Sequence, residues 1–395
     1  MDLLKRLWQL RPLVGEKRQH LMFLSNYLNR TKLRKIKLLI NDNRLSFTLS
    51  SLGLSKDLGK DLVFPTLELS VPDKKLRAWV DTVNSELVSK IEESMFDDFA
   101  TKAEEVLPKF VAPKLHGLTT IKQAIALQMF AKEKLHILLL GDPGTGKTEF
   151  LQSVEKLYPV TSFGLGSGTS GVGLSVTVKG NKVLPGLLPM ANNGICIIDE
   201  LNLMKKEDYA ALYSAMEKGF VSYDKGGSHY RFDANIRLLA TANPIGDKFR
   251  GNTRDAIVRQ LPFEPALLSR FTLVFLIRKP DLKTFIKIAE DIVDKSDKKL
   301  SQGDIDFIQH YITYAEGIEP KFPKRLKQLV VEFARDIKLQ EDKLFFDVSP
   351  RLIHGLINIS KSYAKLKLKD EVTKTELEKA KILIMLALEN KLESS

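Results

Sequence analysis

Four short apolar runs mark the middle of the chain: Leu135–Leu140, Gly194–Ile198, Ile236–Ala240 and Leu273–Ile277. Each is strand-length, lacks a sustained polar alternation and gives way to glycine or polar residues, with helical stretches between them. Apolar strands separated by helices predict a parallel sheet covered on both faces, the α/β class. Beyond Pro280 the pattern changes to helical periodicity, over Phe285–Val293, Asp304–Glu316, Arg325–Lys338, Pro350–Lys365 and Lys374–Asn390,. Ahead of the sheet region, Leu3, Leu4, Leu7 and Leu10 recur at helical spacing. Lys37–Ile40 and Leu45–Leu49, joined across Asn41-Asp42-Asn43, read as a β-hairpin,. Residues 61–108 turn acidic and helical and are expected to end at Pro108,. The pattern thus predicts a small basic α+β domain over 1–105, an α/β core over 106–282 and an all-helical domain over 283–395. It contains no internal repeat and no low-complexity segment.

Composition narrows the class. A chain of 395 residues is too long for one compact core, and 44% hydrophobic with 28% charged residues marks it as folded rather than disordered,. No stretch reaches the roughly 18 apolar residues of a membrane span, so no membrane partner is expected. The start, Met1-Asp2-Leu3-Leu4-Lys5-Arg6, has no long apolar segment of the secretory kind,. Cys196 is the single cysteine, which excludes disulfides and multi-thiolate zinc sites and predicts a reducing, cytoplasmic setting,. In residues 1–60 thirteen Lys and Arg stand against four Asp and Glu, a surplus of nine of the chain's net +12. Such asymmetry predicts a polyanion partner, nucleic acid first, although a basic run is also what a plain solvated face looks like.

The chemistry is carried by Gly141-Asp142-Pro143-Gly144-Thr145-Gly146-Lys147-Thr148, which fills G-x-x-x-x-G-K-[ST] between a strand and a helix opening at Glu149,. Glycines let backbone N–H groups turn inward on phosphates, and the helix N-terminus adds partial positive charge. Lys147 is expected at the β/γ-phosphates and Thr148 on Mg²⁺. A second strand, Ile195-Cys196-Ile197-Ile198, runs into Asp199 and Glu200. Asp199 is expected to hold Mg²⁺ through water and Glu200 to polarise the attacking water. Cys196, mid-strand, reads as a small buried hydrophobe. A third strand ends at Asn243, expected beside the two carboxylates, where it would orient the water.

In this order the segments resemble an AAA+ ATPase, and in detail the minichromosome maintenance (MCM) family, from about Glu104 onward. Val111-Ala112-Pro113-Lys114-Leu115-His116-Gly117 with Lys122–Gln128 resembles the entry to that core, and Ala242-Asn243-Pro244-Ile245-Gly246 its sensor-1 segment. Pro265-Ala266-Leu267-Leu268-Ser269-Arg270-Phe271 resembles its arginine-finger segment, and Ser349-Pro350-Arg351-Leu352 its sensor-2 segment. The resemblance implies ATP with Mg²⁺, Arg270 acting on a neighbouring subunit's nucleotide, Arg351 at the nucleotide, and a homo-hexameric ring around single-stranded or forked DNA. It also implies two hairpins that contact DNA. One carries Lys225 at its tip with His229 and Arg231 nearby; the other carries Lys179 and Lys182. The chain departs from the family pattern at Gly146 and Thr148, where Ala and Ser are usual, and at Leu201-Asn202-Leu203-Met204, where Phe-Asp-Lys-Met is usual. Against the family pattern, a shortened domain without the cysteines of a zinc site is expected ahead of the core, and no winged helix is expected after the helical domain.

Three functions are therefore expected to compete. The first is an ATP-driven DNA helicase or translocase in replication, associated with the nucleoid. The second is an AAA+ remodeller of the MoxR or chelatase kind acting on proteins, whose hairpin insert is shared and which Glu200-Leu201-Asn202 also resembles. The third is an MCM paralogue that hydrolyses ATP without unwinding.

Overall fold

The computed structural model describes residues 35–41, 44–50, 95–132, 134–179, 182–225, 228–251, 253–294, 300–346 and 348–389. The chain divides into two compact units, residues 1–103 with 301–304 and residues 104–300 with 305–395. In the first, β1 (Lys35–Asn41) and β2 (Arg44–Ser50) form the expected antiparallel hairpin. Asn41 pairs with Arg44, so it is the last ladder residue rather than part of the turn. The helix expected over Leu3–Leu10 and most of the acidic helical stretch from residue 61 lie outside the described residues.

Helix α1 (Ala103–Phe110) contains Pro108 instead of ending at it. The proline forgoes one backbone hydrogen bond, and the turn continues because Leu107 and Phe110 are buried on either side of it,. After α2 (Thr119–Phe130) comes β3 (Ile137–Gly141), then α3 (Lys147–Leu157) and β4 (Thr161–Leu165). The short α4 (Gly171–Ser175) leads into the hairpin β5 (Val176–Lys179) and β6 (Lys182–Pro185), followed by α5 (Leu187–Met190) and β7 (Ile195–Asp199). Helix α6 (Tyr209–Lys218) ends at Gly219, whose φ of 76° turns the chain directly into the hairpin β8 (Phe220–Lys225) and β9 (Ser228–Asp233). Then come β10 (Arg237–Ala242), α7 (Arg254–Val258), α8 (Pro265–Leu268) and β11 (Leu273–Ile277).

Five of these strands form one all-parallel sheet in the order β11-β3-β10-β7-β4. Every residue of β3, β7, β10 and β11 is buried, which is why they read as apolar runs,. The fifth strand, β4, has no counterpart among the four runs. It lies at the sheet edge, and its Thr161-Ser162-Phe163-Gly164-Leu165 is only partly buried, so no continuous apolar run marks it.

The helices after the sheet are α9 (Leu282–Asp294), α10 (Gln302–Glu316), α11 (Lys327–Leu339), α12 (Pro350–Leu366) and α13 (Lys374–Leu388). Helices α12 and α13 pack on each other, α12 on α2 and α13 on β11. Gly355 of α12 lies so close to Thr272 that a Cβ there would come within 2.4 Å of its methyl group. Because Thr272 immediately precedes β11, that contact fixes α12 at the N-terminal edge of the sheet.

Candidate nucleotide-binding and hydrolysis site

The C-terminal edge of the sheet carries the cradle. Gly141 closes β3 against β11, where a Cβ would fall 2.4 Å from the Ile277 carbonyl oxygen. Gly144 and Gly146 take φ of 78° and 80°, left-handed values that glycine adopts without strain, and so the loop curls its N–H groups inward,. Asp142 is a strut: it is 2% exposed and accepts hydrogen bonds from Phe249 N (2.8 Å) and Lys279 N (3.1 Å). Thr145 caps the same loop by donating to the Asp142 carbonyl at 2.8 Å. Pro143 stands exposed on the loop, and Glu149 sits in the first turn of α3, which begins at Lys147 rather than at Glu149.

Lys147 is 8% exposed, and its ammonium donates to the carbonyls of Gly141 (2.7 Å) and Asp142 (2.8 Å). Burial pulls its pKa below the usual lysine range, opposed by Asp199, Asp142 and Glu200. Two carbonyl dipoles are weak partners for a buried ammonium, and phosphate oxygens would be stronger ones. Thr148 Oγ1 donates to Asp199 Oδ2 at 3.0 Å, so strand β7 and the cradle converge on one point. A hydroxyl and one carboxylate beside a phosphate site suit Mg²⁺, which keeps most of its shell as water and phosphate oxygen.

Behind Asp199 stands a residue that no motif in the chain singles out. Thr241 of β10 donates its hydroxyl to Asp199 Oδ1 and accepts the Glu200 N–H at 3.0 Å. Register explains it: Ala240 is opposite Ile198, which sets Thr241 beside Asp199. Glu200 leaves the strand in a left-handed conformation (φ 54°, ψ 47°), and Gly166 permits the approach, since a Cβ there would lie 2.1 Å from the Glu200 carbonyl oxygen. Asn243 lies two residues past Thr241, half-buried, with its N–H on Asn202 Oδ1 at 2.9 Å. Asn202 falls within the segment that departs from the family pattern. Cys196 is fully buried, and burial pushes its thiol up to about 12, so it packs as a small hydrophobe.

Arg270 and Arg351 stand together at the other end of the sheet. Leu273 pairs with Ile137 and Ile277 with Gly141, so Arg270, three residues ahead of Leu273, is separated from the cradle by the length of the strands, at least about 13 Å,. Arg270 donates to Glu217 Oε2 at 2.8 Å and to the Ala266 carbonyl, and lies 4.4 Å over the Tyr213 ring. Arg351, at the start of α12, reaches Glu217 Oε1 and Ser269 Oγ, both at 3.3 Å. Arg270 holds the Glu217 carboxyl below its usual range through its hydrogen bond and then its charge. Close by, His136 is buried; it accepts Leu238 N on Nδ1 at 3.0 Å, and its Nε2 faces the Met216 carbonyl at 3.4 Å. Burial pulls its pKa down to about 4, with Lys134 and Arg351 pushing the same way, so it stays neutral near pH 7.

The basic hairpin residues are placed by backbone register. Lys179 pairs with Lys182 at the end of β5 and β6, and Lys225 pairs with Ser228 at the end of β8 and β9. His229 is exposed, while the Arg231 guanidinium folds to 3.8 Å over the Phe220 ring, away from the tip and at the hairpin base. The hairpin leads through Ala234–Ile236 into β10.

A parallel five-stranded sheet with a glycine cradle after β3, a carboxylate pair after β7 and a helical region after β11 defines an AAA+ P-loop core. Residues 92–296 match the MCM P-loop domain and residues 306–388 the MCM AAA-lid domain. The chain therefore belongs to the MCM family. It is 31% identical over 303 residues to the minichromosome maintenance protein MCM of Saccharolobus solfataricus, covering 71% of this chain and 44% of that protein. It is 31% identical over 315 residues to the DNA replication licensing factor MCM4 of Arabidopsis thaliana, covering 72% and 37% respectively. It is 28% identical over 340 residues to the DNA replication licensing factor mcm4 of Xenopus tropicalis, covering 78% and 39%. The matched region thus spans less than half the length of these curated relatives. Among the described residues, no helix is long and apolar enough to cross a membrane.

Proposed function

We propose that the chain is an ATP-dependent DNA helicase or translocase that works inside the cell as a head-to-tail ring, of six copies by resemblance to its family, taking ATP with Mg²⁺. The observation that carries this reading is the separation of the cradle from Arg270 and Arg351 by the length of the sheet. One copy cannot bring its own arginines to its own nucleotide. A second copy docked cradle edge to arginine edge can, and such a heterologous contact repeats until a ring closes.

In this reading the cradle from Gly141 to Thr148 binds the phosphates, and Lys147 exchanges the Gly141 and Asp142 carbonyls for β/γ-phosphate oxygens. Thr148 and Asp199 would hold Mg²⁺, which would supply charge neutralisation at the phosphates,. Thr241 keeps Asp199 aimed through its hydroxyl. Glu200 orients and polarises the attacking water, with Asn243 beside it. Arg270 and Arg351, from the next copy, meet the charge that builds on the transferred phosphoryl group. Lys225, Lys179 and Lys182 contact DNA phosphates from the hairpin tips, while residues 106–282 act as the motor core and 283–395 as its lid.

The test is ATP turnover with and without single-stranded DNA, together with unwinding of a forked duplex. The reading expects DNA to stimulate turnover and the fork to be opened. Turnover indifferent to DNA would transfer the core to a protein-remodelling role. DNA-stimulated turnover without unwinding would make it a translocating or non-unwinding paralogue.

A further inference from the structure

A cleft unrelated to the cradle opens between the C-terminal end of α2 and the second half of α12. Phe130, Lys132, Glu319, Asn358, Lys361 and Lys365 are among the residues that line it, and its volume is about 20 Å³, room for one water-sized group,. It belongs to the N-terminal edge of the sheet, since Arg237, the first residue of β10, donates to the Gln128 and Ala131 carbonyls at the end of α2.

Two of its side chains are largely buried and lack a protein partner. Lys365 is 6% exposed and Asn358 9%, and among the described residues neither side chain has a hydrogen-bond or ion-pair partner. The surrounding charges do not balance. Lys132, Lys361 and Lys365, with Arg237 beneath, face Glu316 and Glu319. Both carboxylates are engaged, Glu319 by Lys132 at 2.6 Å and Glu316 by the Tyr158 hydroxyl at 3.0 Å. Positive charges therefore outnumber negative ones by two around the cleft. Burial draws the Lys365 pKa downward, Arg237 and Lys132 add to that, and Glu316 and Glu319 oppose it. An ammonium set among like charges gains from an anion that reaches it.

We propose that this cleft is a phosphate-binding site in which one phosphate oxygen enters to meet the Lys365 ammonium and the Asn358 amide while Lys132 and Lys361 hold the others at the mouth. A phosphate, with oxygens directed several ways, suits separate lysine point charges better than a planar carboxylate, whose matching partner is an arginine fork. Inorganic phosphate and a nucleic-acid backbone offer the same oxyanion. The site stands apart from the ATPase reading and does not depend on it.

The test uses the full chain carrying Lys147→Ala, which removes the cradle's own phosphate contact. Inorganic phosphate is titrated calorimetrically in chloride buffer. Binding is expected, weakened about tenfold or more by adding Lys365→Met and less by adding Lys361→Met. Lys365→Met keeps an unbranched chain and removes a buried charge. Lys361 is only half-buried, so Lys361→Met decides the question should the first variant fail to fold. Absence of phosphate binding in the Lys147→Ala chain, or affinity unchanged by the added substitutions, overturns the proposal. An oligothymidylate then separates the sources. If it displaces phosphate and itself binds more weakly to Lys365→Met, the ligand is a nucleic-acid backbone. If its affinity is indifferent to Lys365→Met while phosphate binding falls, the ligand is the free anion.

Discussion

If Arg270 acts on a neighbour's nucleotide, two inactive variants must rescue each other by a calculable amount. Arg270→Ala keeps its cradle but loses its finger, and ATP turnover should fall by roughly 10³–10⁵ while nucleotide affinity is largely kept. Lys147→Ala keeps the finger but loses the ammonium proposed to meet the phosphates. A working interface in a mixed ring needs the cradle of an Arg270→Ala subunit beside the finger edge of a Lys147→Ala subunit. Each subunit presents one edge of each kind, so with random mixing at fraction f the working share of interfaces is f(1 − f), whatever the ring size. The maximum falls at equal mixing and equals about a quarter of wild-type turnover per interface. Arg351→Ala should follow the same curve, because Arg351 shares the Glu217 carboxylate with Arg270. The assay is steady-state phosphate release over a series of mixing ratios, with native mass spectrometry reporting that both variants enter the same rings. Mixed rings with turnover no higher than either variant alone would refute the trans assignment of both arginines.

Glu200→Gln should bind ATP as before but turn over about 10²–10⁴ more slowly, because metal and phosphate contacts remain while proton acceptance is lost; equilibrium nucleotide binding and single-turnover hydrolysis check it. Lys225→Ala should weaken single-stranded DNA binding equally across sequences and reduce the log–log salt slope by about 0.7, measured by fluorescence anisotropy at several chloride concentrations. Arg237→Met should destabilise the chain by about 3–5 kcal/mol in urea unfolding, because it strands carbonyls at the end of α2 and before β7 that a buried guanidinium now satisfies,. Glu376, fully buried, has its pKa raised by burial but brought down to about 2 overall by hydrogen bonds from Lys369 and Thr373 and the Lys369 charge. A folded-state pKa below the ordinary 4.5 stabilises above that pH, so its contribution should be lost as pH falls from about 4.5 toward 2,. Glu376→Gln should flatten that part of the acid-unfolding curve.

The cradle was legible because its chemistry is local: consecutive residues supply the left-handed glycines, the helix N-terminus and the lysine, and nothing distant is needed to build it. The carboxylate pair was legible for the same reason, as the end of a buried strand. Their supports were not. Thr241 serves Asp199 because of the register between β10 and β7, and no spacing in the chain encodes a register. Glu217 and Tyr213 hold Arg270 from 53 and 57 positions away, chosen by how α6 packs beside α8. Strand β4 escaped because an edge strand needs no continuous apolar run. Arg237 stands inside a run that reads as apolar, and a guanidinium is accepted there because the chain folds carbonyls and the Tyr158 hydroxyl around it.

The restraint on the two arginines has a magnitude that fits their proposed task. Glu217 is about half exposed, so its ion pairs with Arg270 and Arg351 are screened and worth on the order of 0–1 kcal/mol each,. The Tyr213 ring adds about 0.5–1 kcal/mol at such a site,. Together these forces orient the guanidinium yet are small beside the transition-state charge it would meet, so reorientation onto a neighbour's phosphate costs little. A buried pair at Glu217 would have locked the arginines. Their absence would have left two long side chains to be ordered during each turnover, at the entropic cost such side chains carry. The same helix α6 that holds Tyr213 and Glu217 is joined through Gly219 alone to β8, the strand that carries Lys225. In the proposed reading, a hairpin shifted by DNA would also shift the groups that aim the arginines, with no longer chain of contacts required.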